Sequence, residues 1–276
     1  MRLRNSVLVF FIAAYGISWM LWLPLLLKPN WPEVVMTTFF ILGGFGPMVA
    51  AYLVSVKAHG KDGKRDFWNR LLLVKLPWFN LVAAVVVPIG IFLIAYGIYR
   101  VMGGTPAYAT DTPTVFIYPV LLLYVMILGG GLEEPGWRGF ALPRLQSIMS
   151  PFVASLVLGL MWVFWHTPLF FIEGLSQTSF DFTWYLLNGL GLSILFTIFF
   201  NHTKGSVFIA VLLHGGINAP SAWFPLDGTV ETFLGTMPAH FPITIATWLV
   251  VLVLAVVFNA RLNTKRPFEL MKDAPT

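Results

Sequence analysis

The chain contains no cysteine among its 276 residues, and charged side chains make up only 11% of it. The absence of cysteine excludes disulfide bonds, a cysteine nucleophile, thiolate metal ligands and prenylation of this chain. The scarcity of charge excludes an ordinary soluble domain, in which charged residues make up about 25%. No loop between the apolar runs is long enough to form a soluble core of its own.

Apolar residues make up 58% of the chain, and the mean hydropathy is +0.80. In lipid, only helices and closed barrels satisfy their backbone hydrogen bonds, and these apolar runs lack the alternating polarity of barrel strands. The sequence therefore predicts an all-α polytopic membrane protein with a single transmembrane domain over residues 1–276. A span needs about 20 apolar residues, and eight segments are candidates: 6–27, 34–56, 78–101, 114–132 (or its extension to about 146), 151–172, 183–200, 205–219 and 241–260.

Lysine and arginine are distributed unequally between the two sides of this eight-span arrangement. Fifteen of the seventeen lie on the side that holds both termini, and only Lys28 and Arg100 lie on the other. Because Lys and Arg near span ends mark the cytoplasmic side, both termini are predicted to be cytoplasmic. The net charge of +5 therefore reflects membrane topology, and nucleic acid is not an expected partner.

The loop Lys57–Pro77 is the most basic region and alternates its charges with apolar residues such as Phe67 and Trp68. This pattern predicts a short amphipathic helix that lies on the cytoplasmic face of the membrane. Anchoring on anionic membrane lipid is the favoured interpretation of this helix, and docking of a substrate is the alternative.

Two adjacent carboxylates, Glu133 and Glu134, follow the apolar run 114–132 and its glycines Gly129–Gly131. Charge inside a membrane span costs about 2.5–3.5 kcal/mol per Asp, Lys or Arg on insertion scales, and such residues usually serve a function. Glu134 and Arg138 are four residues apart, so on a helix they can form an ion pair. That pair would leave Glu133 free for chemistry. The alternative is a pair of interfacial glutamates at a helix end.

Three further polar side chains lie within apolar runs. His166 follows Trp162-Val-Phe-Trp165, and His214 and Asn218 are four residues apart in another segment. Spacing of four places His214 and Asn218 on one helix face. Buried polar residues in spans are often functional, although a satisfied core histidine and polar contacts between helices remain alternative explanations.

The chain order predicts that these residues meet. Glu133 and His166 each lie about 16 residues from a turn near Ser150, so an antiparallel helical hairpin places them level. His214 reaches the same depth if the segment 138–149 projects into the cytoplasm. The expected result is a site cavity inside the membrane that opens to the cytoplasm.

The three segments resemble the motifs of the CAAX-protease and bacteriocin-processing family of intramembrane endopeptidases, also called the ABI family. Its first motif, EExxxR, is matched by Glu133-Glu134-Pro-Gly-Trp-Arg138, and its third, HxxxN, by His214-Gly-Gly-Ile-Asn218. The second motif is FxxxH, and here Trp162 stands where Phe is usual before His166. The resemblance covers a catalytic core of about residues 115–220.

The resemblance implies eight helices and cleavage of a peptide bond near the C-terminus of a membrane-associated or lipidated protein. Eukaryotic members trim prenylated proteins, whereas prokaryotic members are linked to bacteriocin maturation and self-immunity. The fuller run Glu133–Gly139 is similar to the prokaryotic group. A location in a prokaryotic inner membrane is therefore expected, with membrane lipid and a prenylated or other membrane-associated protein or peptide as partners.

The residue types favour a water nucleophile, because no cysteine is present and no serine is placed to act. A carboxylate in a low-dielectric site is a competent general base, so Glu133 is assigned that role, with His166 helping to hold or deprotonate the water. By resemblance, His214 and Asn218 would donate to the oxyanion. Arg138 would order Glu134 and contact the terminal carboxylate of the substrate.

A metal ion is an open alternative, because Glu133, His166 and His214 together could bind zinc as three ligands with water as the fourth. The sequence lacks the HExxH pattern of a compact zinc helix. Water activated by Glu133 without a metal cofactor is therefore favoured, with zinc as the alternative.

A non-catalytic membrane scaffold or bacteriocin-immunity protein of the same fold is the main competing function. A transporter with a proton relay is a weaker one, because transporters often show paired halves with matching broken helices and this sequence shows no such symmetry.

Overall fold

The computed structural model describes residues 3–27, 31–104, 113–224, 229–232, 235–238 and 240–257. Eleven α-helices are found in these ranges: α1 (Leu3–Leu26), α2 (Glu33–Gly44), α3 (Gly46–Leu71), α4 (Trp78–Val101), α5 (Tyr118–Ile127), α6 (Glu134–Gly136), α7 (Leu142–Gln146), α8 (Pro151–Trp165), α9 (Phe182–His202), α10 (Val207–Asn218) and α11 (His240–Val257). One small antiparallel hairpin joins β1 (Thr229–Thr232) to β2 (Gly235–Pro238). The sequence did not predict this hairpin.

Within the described ranges, six helical segments are long and apolar enough to cross a membrane: Ser6–Leu26, Trp78–Val101, Val115–Gln146, Pro151–Phe171, Phe182–His202 and His240–Val257. The pair α2 and α3, bent by 42° at Phe45, makes a seventh if it counts as one span. These seven coincide with seven of the eight predicted segments. The predicted fold class, an all-α polytopic membrane protein, is confirmed. Residues 1–2 and 258–276, which contribute to the predicted orientation, lie outside the described residues.

The remaining predicted span, 205–219, corresponds to α10, which has only 12 residues. Ten of them are buried inside the protein. Because its neighbours are α4, α5 and α9 rather than lipid, the length of α10 need not match the thickness of the bilayer. Ser206 caps its start by accepting a hydrogen bond from the Ile209 amide.

The fourth span is broken at the glycines that precede the two glutamates. Gly130 has a φ of 112°, in the left-handed region that favours glycine. A 3₁₀ turn (Gly131–Glu133), α6, a π-helical turn (Trp137–Ala141) and α7 then follow in succession. Short π-helical turns occur frequently at functional sites, and this one places the motif residue Arg138 in the protein interior.

The segment 138–149 was expected to be polar enough to project into the cytoplasm, and most of it is instead buried against other helices. Arg138, Leu142 and Gln146 are fully buried. Their neighbours are α1, α3, α8 and α9. The polar side chains are accommodated by packing against other helices rather than by exposure to water.

A helix is present in the basic loop, as predicted. It is the second half of α3, which continues past a kink at Gly60, where φ is 56°. The side chain of Phe67 points inward and is buried. Asp66 and Arg70 form an exposed ion pair on the same helix. The alternation of charged and apolar residues therefore indicated the correct local structure.

Candidate active site

Glu134 lies at the centre of a buried ion-pair network. Both of its carboxylate oxygens accept from Nη1 of Arg138, at 2.9 Å. Nδ1 of His214 lies 2.8 Å from the same carboxylate and donates to Oε1. The Glu134–Arg138 pair predicted from their spacing is present, and neither side chain has any exposed surface. Because an isolated buried charge is very costly, Glu134 and Arg138 each compensate the burial of the other.

The guanidinium of Arg138 is enclosed by aromatic rings. Its central carbon lies 4.2 Å from the centre of the Phe196 ring and 5.1 Å from that of Trp162. Both distances fall within the range of a cation–π interaction. The predicted contact between Arg138 and the terminal carboxylate of a substrate does not fit this structure, because the side chain has no surface that a substrate can reach.

Glu133 is only 5% exposed. Its Oε2 atom accepts a hydrogen bond of 2.8 Å from the indole Nε1 of Trp162. Trp162 lies one helical turn before His166 on α8, so the hairpin predicted around Ser150 does bring the two elements together. The hydrogen bond occupies one carboxylate oxygen and leaves Oε1 for other partners.

Glu133 and His214 both approach the backbone of Gly130 closely. A Cβ atom added at Gly130 would lie 3.1 Å from Oε1 of Glu133 and 2.6 Å from Nε2 of His214. The second carboxylate oxygen and the second imidazole nitrogen therefore lie on the same side of Gly130. The absence of a side chain at Gly130 permits this close approach.

His166 ends α8 and lies at the start of the next 3₁₀ turn, Thr167–Phe171. Its Nδ1 atom donates to the backbone carbonyl of Trp162 at 2.8 Å. A carbonyl can only accept, so this contact assigns the ring proton of the neutral imidazole to Nδ1 and leaves Nε2 as an acceptor. The ring packs edge-on against Trp165 and Tyr185, at centroid distances of 4.7 Å and 5.9 Å.

Asn218 lies one turn after His214 on α10, as its spacing predicted. It is exposed, and its Nδ2 atom donates a long hydrogen bond of 3.4 Å to the carbonyl of Gly129. His214, in contrast, is 4% exposed and held by Glu134. The structure thus places Asn218 at the edge of the site and His214 inside it.

Trp162 connects two groups of candidate residues. Its indole donates to Glu133, and its backbone carbonyl accepts from His166. Its ring centre lies 6.0 Å from that of His214. His214 in turn belongs to the Glu134–Arg138 network. From the sequence, Trp162 was identified only as an aromatic residue of the second motif. Its position four residues before His166 indicated that both side chains lie on the same face of α8.

Glu133, His166 and His214 are the three residues predicted to hold zinc if a metal is present. In the part of the chain that the structure describes, no three His, Asp or Glu side chains are grouped closely enough to hold a metal ion. The arrangement of these three residues therefore does not fit a ready-made zinc site.

Fold and site together define a polytopic helical membrane protein with a buried centre of carboxylates and histidines. A family profile described as "Type II CAAX prenyl endopeptidase Rce1-like" matches residues 114–220. The chain is also 28% identical to CAAX prenyl protease 2 from Methanococcus maripaludis, over 76% of this chain and 82% of that protein. These matches confirm the family resemblance predicted from the three motifs and the enzyme class that it implies. The chain is an intramembrane protease similar to these CAAX prenyl endopeptidases, and its substrate is a membrane-associated protein.

Proposed function

We propose that the protein hydrolyses a peptide bond near the C-terminus of its substrate, using water activated by Glu133 and His166. The geometry at Glu133 supports this proposal most strongly. One oxygen of its carboxylate is fixed by Trp162, and the other lies beside Gly130, on the same side as Nε2 of His214. A nearly buried carboxylate held in one orientation is suited to removing a proton from water.

In the proposed reaction, Oε1 of Glu133 accepts a proton from a water molecule while the water oxygen attacks the peptide carbonyl carbon. Nε2 of His166, which carries a free lone pair when Nδ1 donates to Trp162, accepts a hydrogen bond from the same water. The proton held by Glu133 then passes to the leaving amine nitrogen as the carbon–nitrogen bond breaks. The carboxylate is thereby regenerated, and no covalent enzyme intermediate forms.

The oxyanion of the tetrahedral intermediate would accept hydrogen bonds from His214 and Asn218. Because Nδ1 of His214 is committed to Glu134, Nε2 can donate only when the imidazole is protonated. The carboxylate of Glu134 stabilises that cation. Asn218 can exchange its long bond to the Gly129 carbonyl for a shorter one to the oxyanion. Such donors each contribute about 3–4 kcal/mol in other enzymes.

Arg138 acts indirectly in this scheme. It fixes both oxygens of Glu134, and Glu134 in turn sets the orientation of His214. The reaction as proposed needs no metal cofactor, with zinc as the alternative to be tested.

The substrate class we propose is a protein or peptide with a prenylated C-terminus. The similar methanococcal protein is named a prenyl protease, which supports this choice. The proposed location is a prokaryotic inner membrane with both termini cytoplasmic. Its support is the unequal distribution of the charges, with fifteen of seventeen Lys and Arg on one side.

Cleavage by the purified protein tests the proposal. A peptide with a farnesylated CAAX-type terminus and the same peptide with a free thiol are incubated with the wild type, and the fragments are identified by mass spectrometry. His166→Ala is compared with His59→Ala, which removes an exposed histidine from α3. We expect release of a short C-terminal fragment from the farnesylated peptide only.

The histidine variants should differ in rate, with kcat about 10²–10⁴ lower for His166→Ala and unchanged for His59→Ala. Equal rates for the two variants would contradict the role of His166. A folded wild type that cleaves neither peptide would favour the non-catalytic scaffold or immunity function.

A further inference from the structure

We infer that Trp162 is a positioning residue, which determines which oxygen of Glu133 acts as the general base. This inference rests on the proposed role of Glu133. The indole Nε1 donates to Oε2 at 2.8 Å, and both side chains are at least 93% buried. With Oε2 occupied, only Oε1 is available, and Oε1 is the oxygen that lies beside Gly130 near Nε2 of His214.

The same residue also orients His166. The backbone carbonyl of Trp162 accepts the Nδ1 proton of His166 at 2.8 Å, which leaves the Nε2 lone pair for water. The side chain of Trp162 and its main chain therefore hold the two groups proposed to activate water. A shift of this one residue would displace both of them together.

The hydrogen bond depends on the indole nitrogen and not on aromatic character alone. In the motif that this segment resembles, Phe is usual at position 162, and a phenyl ring has no donor. A carboxylate oxygen buried without a partner is unfavourable, so a Phe at this position would leave Oε2 to seek water or another donor. Glu133 would then have more than one orientation.

The ring of Trp162 is fixed on its other sides, so that it cannot easily follow Glu133. The guanidinium carbon of Arg138 lies 5.1 Å from the ring centre, and the Phe196 ring is 6.3 Å away. Arg138 belongs to the ion-pair network around Glu134, and Phe196 packs against the guanidinium of Arg138. The indole N–H is thus presented from a preorganised position, which is the condition under which a supporting hydrogen bond aids catalysis.

The test replaces the donor while keeping an aromatic ring. Trp162→Phe is compared with Trp22→Phe, a matched variant at another buried tryptophan whose Nε1 donates at 2.9 Å to the backbone carbonyl of Phe40. Both variants lose one buried indole hydrogen bond, but only the first loses it from Glu133. A third variant carries benzothienylalanine at position 162, which retains the bicyclic shape without the N–H.

We expect kcat to fall about 10- to 100-fold in Trp162→Phe and in the benzothienylalanine variant, since a hydrogen bond to a charged group contributes about 1.5–3 kcal/mol. KM should stay within about twofold of the wild type. Trp22→Phe should retain wild-type kcat while its Tm falls. Equal kcat values for Trp162→Phe and Trp22→Phe would overturn the inference.

A spectroscopic measurement separates this inference from the proposed function. In protein labelled with ¹⁵N-tryptophan, the indole cross-peak missing from Trp162→Phe identifies Trp162 among the eleven tryptophans. We expect that cross-peak to move upfield in Glu133→Ala and to stay in place in Glu33→Ala. A cross-peak unmoved by Glu133→Ala would refute the contact. A moved cross-peak without any peptide cleavage would refute the proposed function and leave the contact intact.

Discussion

Nδ1 of His214 lies 2.8 Å from Oε1 of Glu134, although the two residues are 80 positions apart in the sequence. This contact joins α10 to the broken fourth span. Arg138 binds the same carboxylate from the other side, so one buried glutamate fixes both the first and the third motif. Glu134 therefore has a structural role that its neighbour Glu133, the proposed base, does not share.

Glu134→Gln should strongly destabilise the protein. The substitution leaves Arg138 buried without a counter-charge, and breaking a buried pair in this way costs about 3–5 kcal/mol. Asp66→Asn is the matched control, because Asp66 and Arg70 have the same spacing of four but are partly exposed. Exposed pairs contribute about 0–1 kcal/mol. Thermal unfolding in detergent should show a large fall in Tm for Glu134→Gln and little change for Asp66→Asn, and equal shifts would contradict the network.

Gly130→Ala should abolish peptide cleavage. A Cβ at this position would lie 2.6 Å from Nε2 of His214 and 3.1 Å from Oε1 of Glu133, so it would displace the proposed base and the proposed oxyanion donor. Gly235→Ala is the control, because Gly235 also has a left-handed φ, of 100°, but no atom lies within 4 Å of its added Cβ.

Both glycine variants carry a comparable backbone cost of about 1–2 kcal/mol, so their Tm values can be compared directly with their cleavage rates. The expected outcome is loss of cleavage in Gly130→Ala alone. Normal kcat in a folded Gly130→Ala protein would show that the positions of Glu133 and His214 beside Gly130 do not matter for cleavage.

Asn218→Ala should lower kcat about 10²–10³-fold with little change in KM, because an oxyanion donor acts mainly in the transition state. The side chain is exposed and makes only a long bond of 3.4 Å to the Gly129 carbonyl, so its removal should leave Tm nearly unchanged. Asn69→Ala, at an exposed position on α3, is the control and should be fully active. If Asn218→Ala retains its kcat, the oxyanion is stabilised by other groups.

Cleavage should continue in a metal chelator, because the proposed reaction uses a protein carboxylate as the base. Dialysis of the purified protein against chelator, followed by metal analysis and then by the peptide assay, provides the measurement. The expected result is an unchanged kcat in protein without detectable zinc. Activity that is lost in chelator and restored by added zinc would instead make Glu133, His166 and His214 the ligand set to examine.

Local spacing predicted part of this site correctly. Four residues separate Glu134 from Arg138, and helix geometry alone was sufficient to pair them and to direct Glu133 elsewhere. The position of Glu133 relative to α8 followed from equal distances to the turn near Ser150. These predictions succeeded because they depended on the periodicity of one helix or on a simple hairpin.

Contacts between distant segments could not be predicted in this way. The bond between Glu134 and His214 depends on how α10 packs inside the bundle. The sequence did not indicate that the short helix α10 is buried. The hydrogen bond from Trp162 to Glu133 depends on the rotation of α8. The burial of segment 138–149 depends on a π-helical turn, which no pattern in the sequence indicated. Each of these features is decided by tertiary packing rather than by local composition.

The turnover of Glu133→Gln is the most direct test of the account. The substitution retains the size of the side chain and an acceptor for Trp162, but it removes the carboxylate that takes the proton from water. Glu33→Gln, at an exposed glutamate on α2, is measured beside it with the farnesylated peptide, on samples shown to be folded by their Tm. The account predicts that kcat falls about 10²–10⁴-fold in Glu133→Gln at an unchanged Tm, whereas Glu33→Gln matches the wild type. A folded Glu133→Gln protein that cleaves the peptide at the wild-type rate would contradict it.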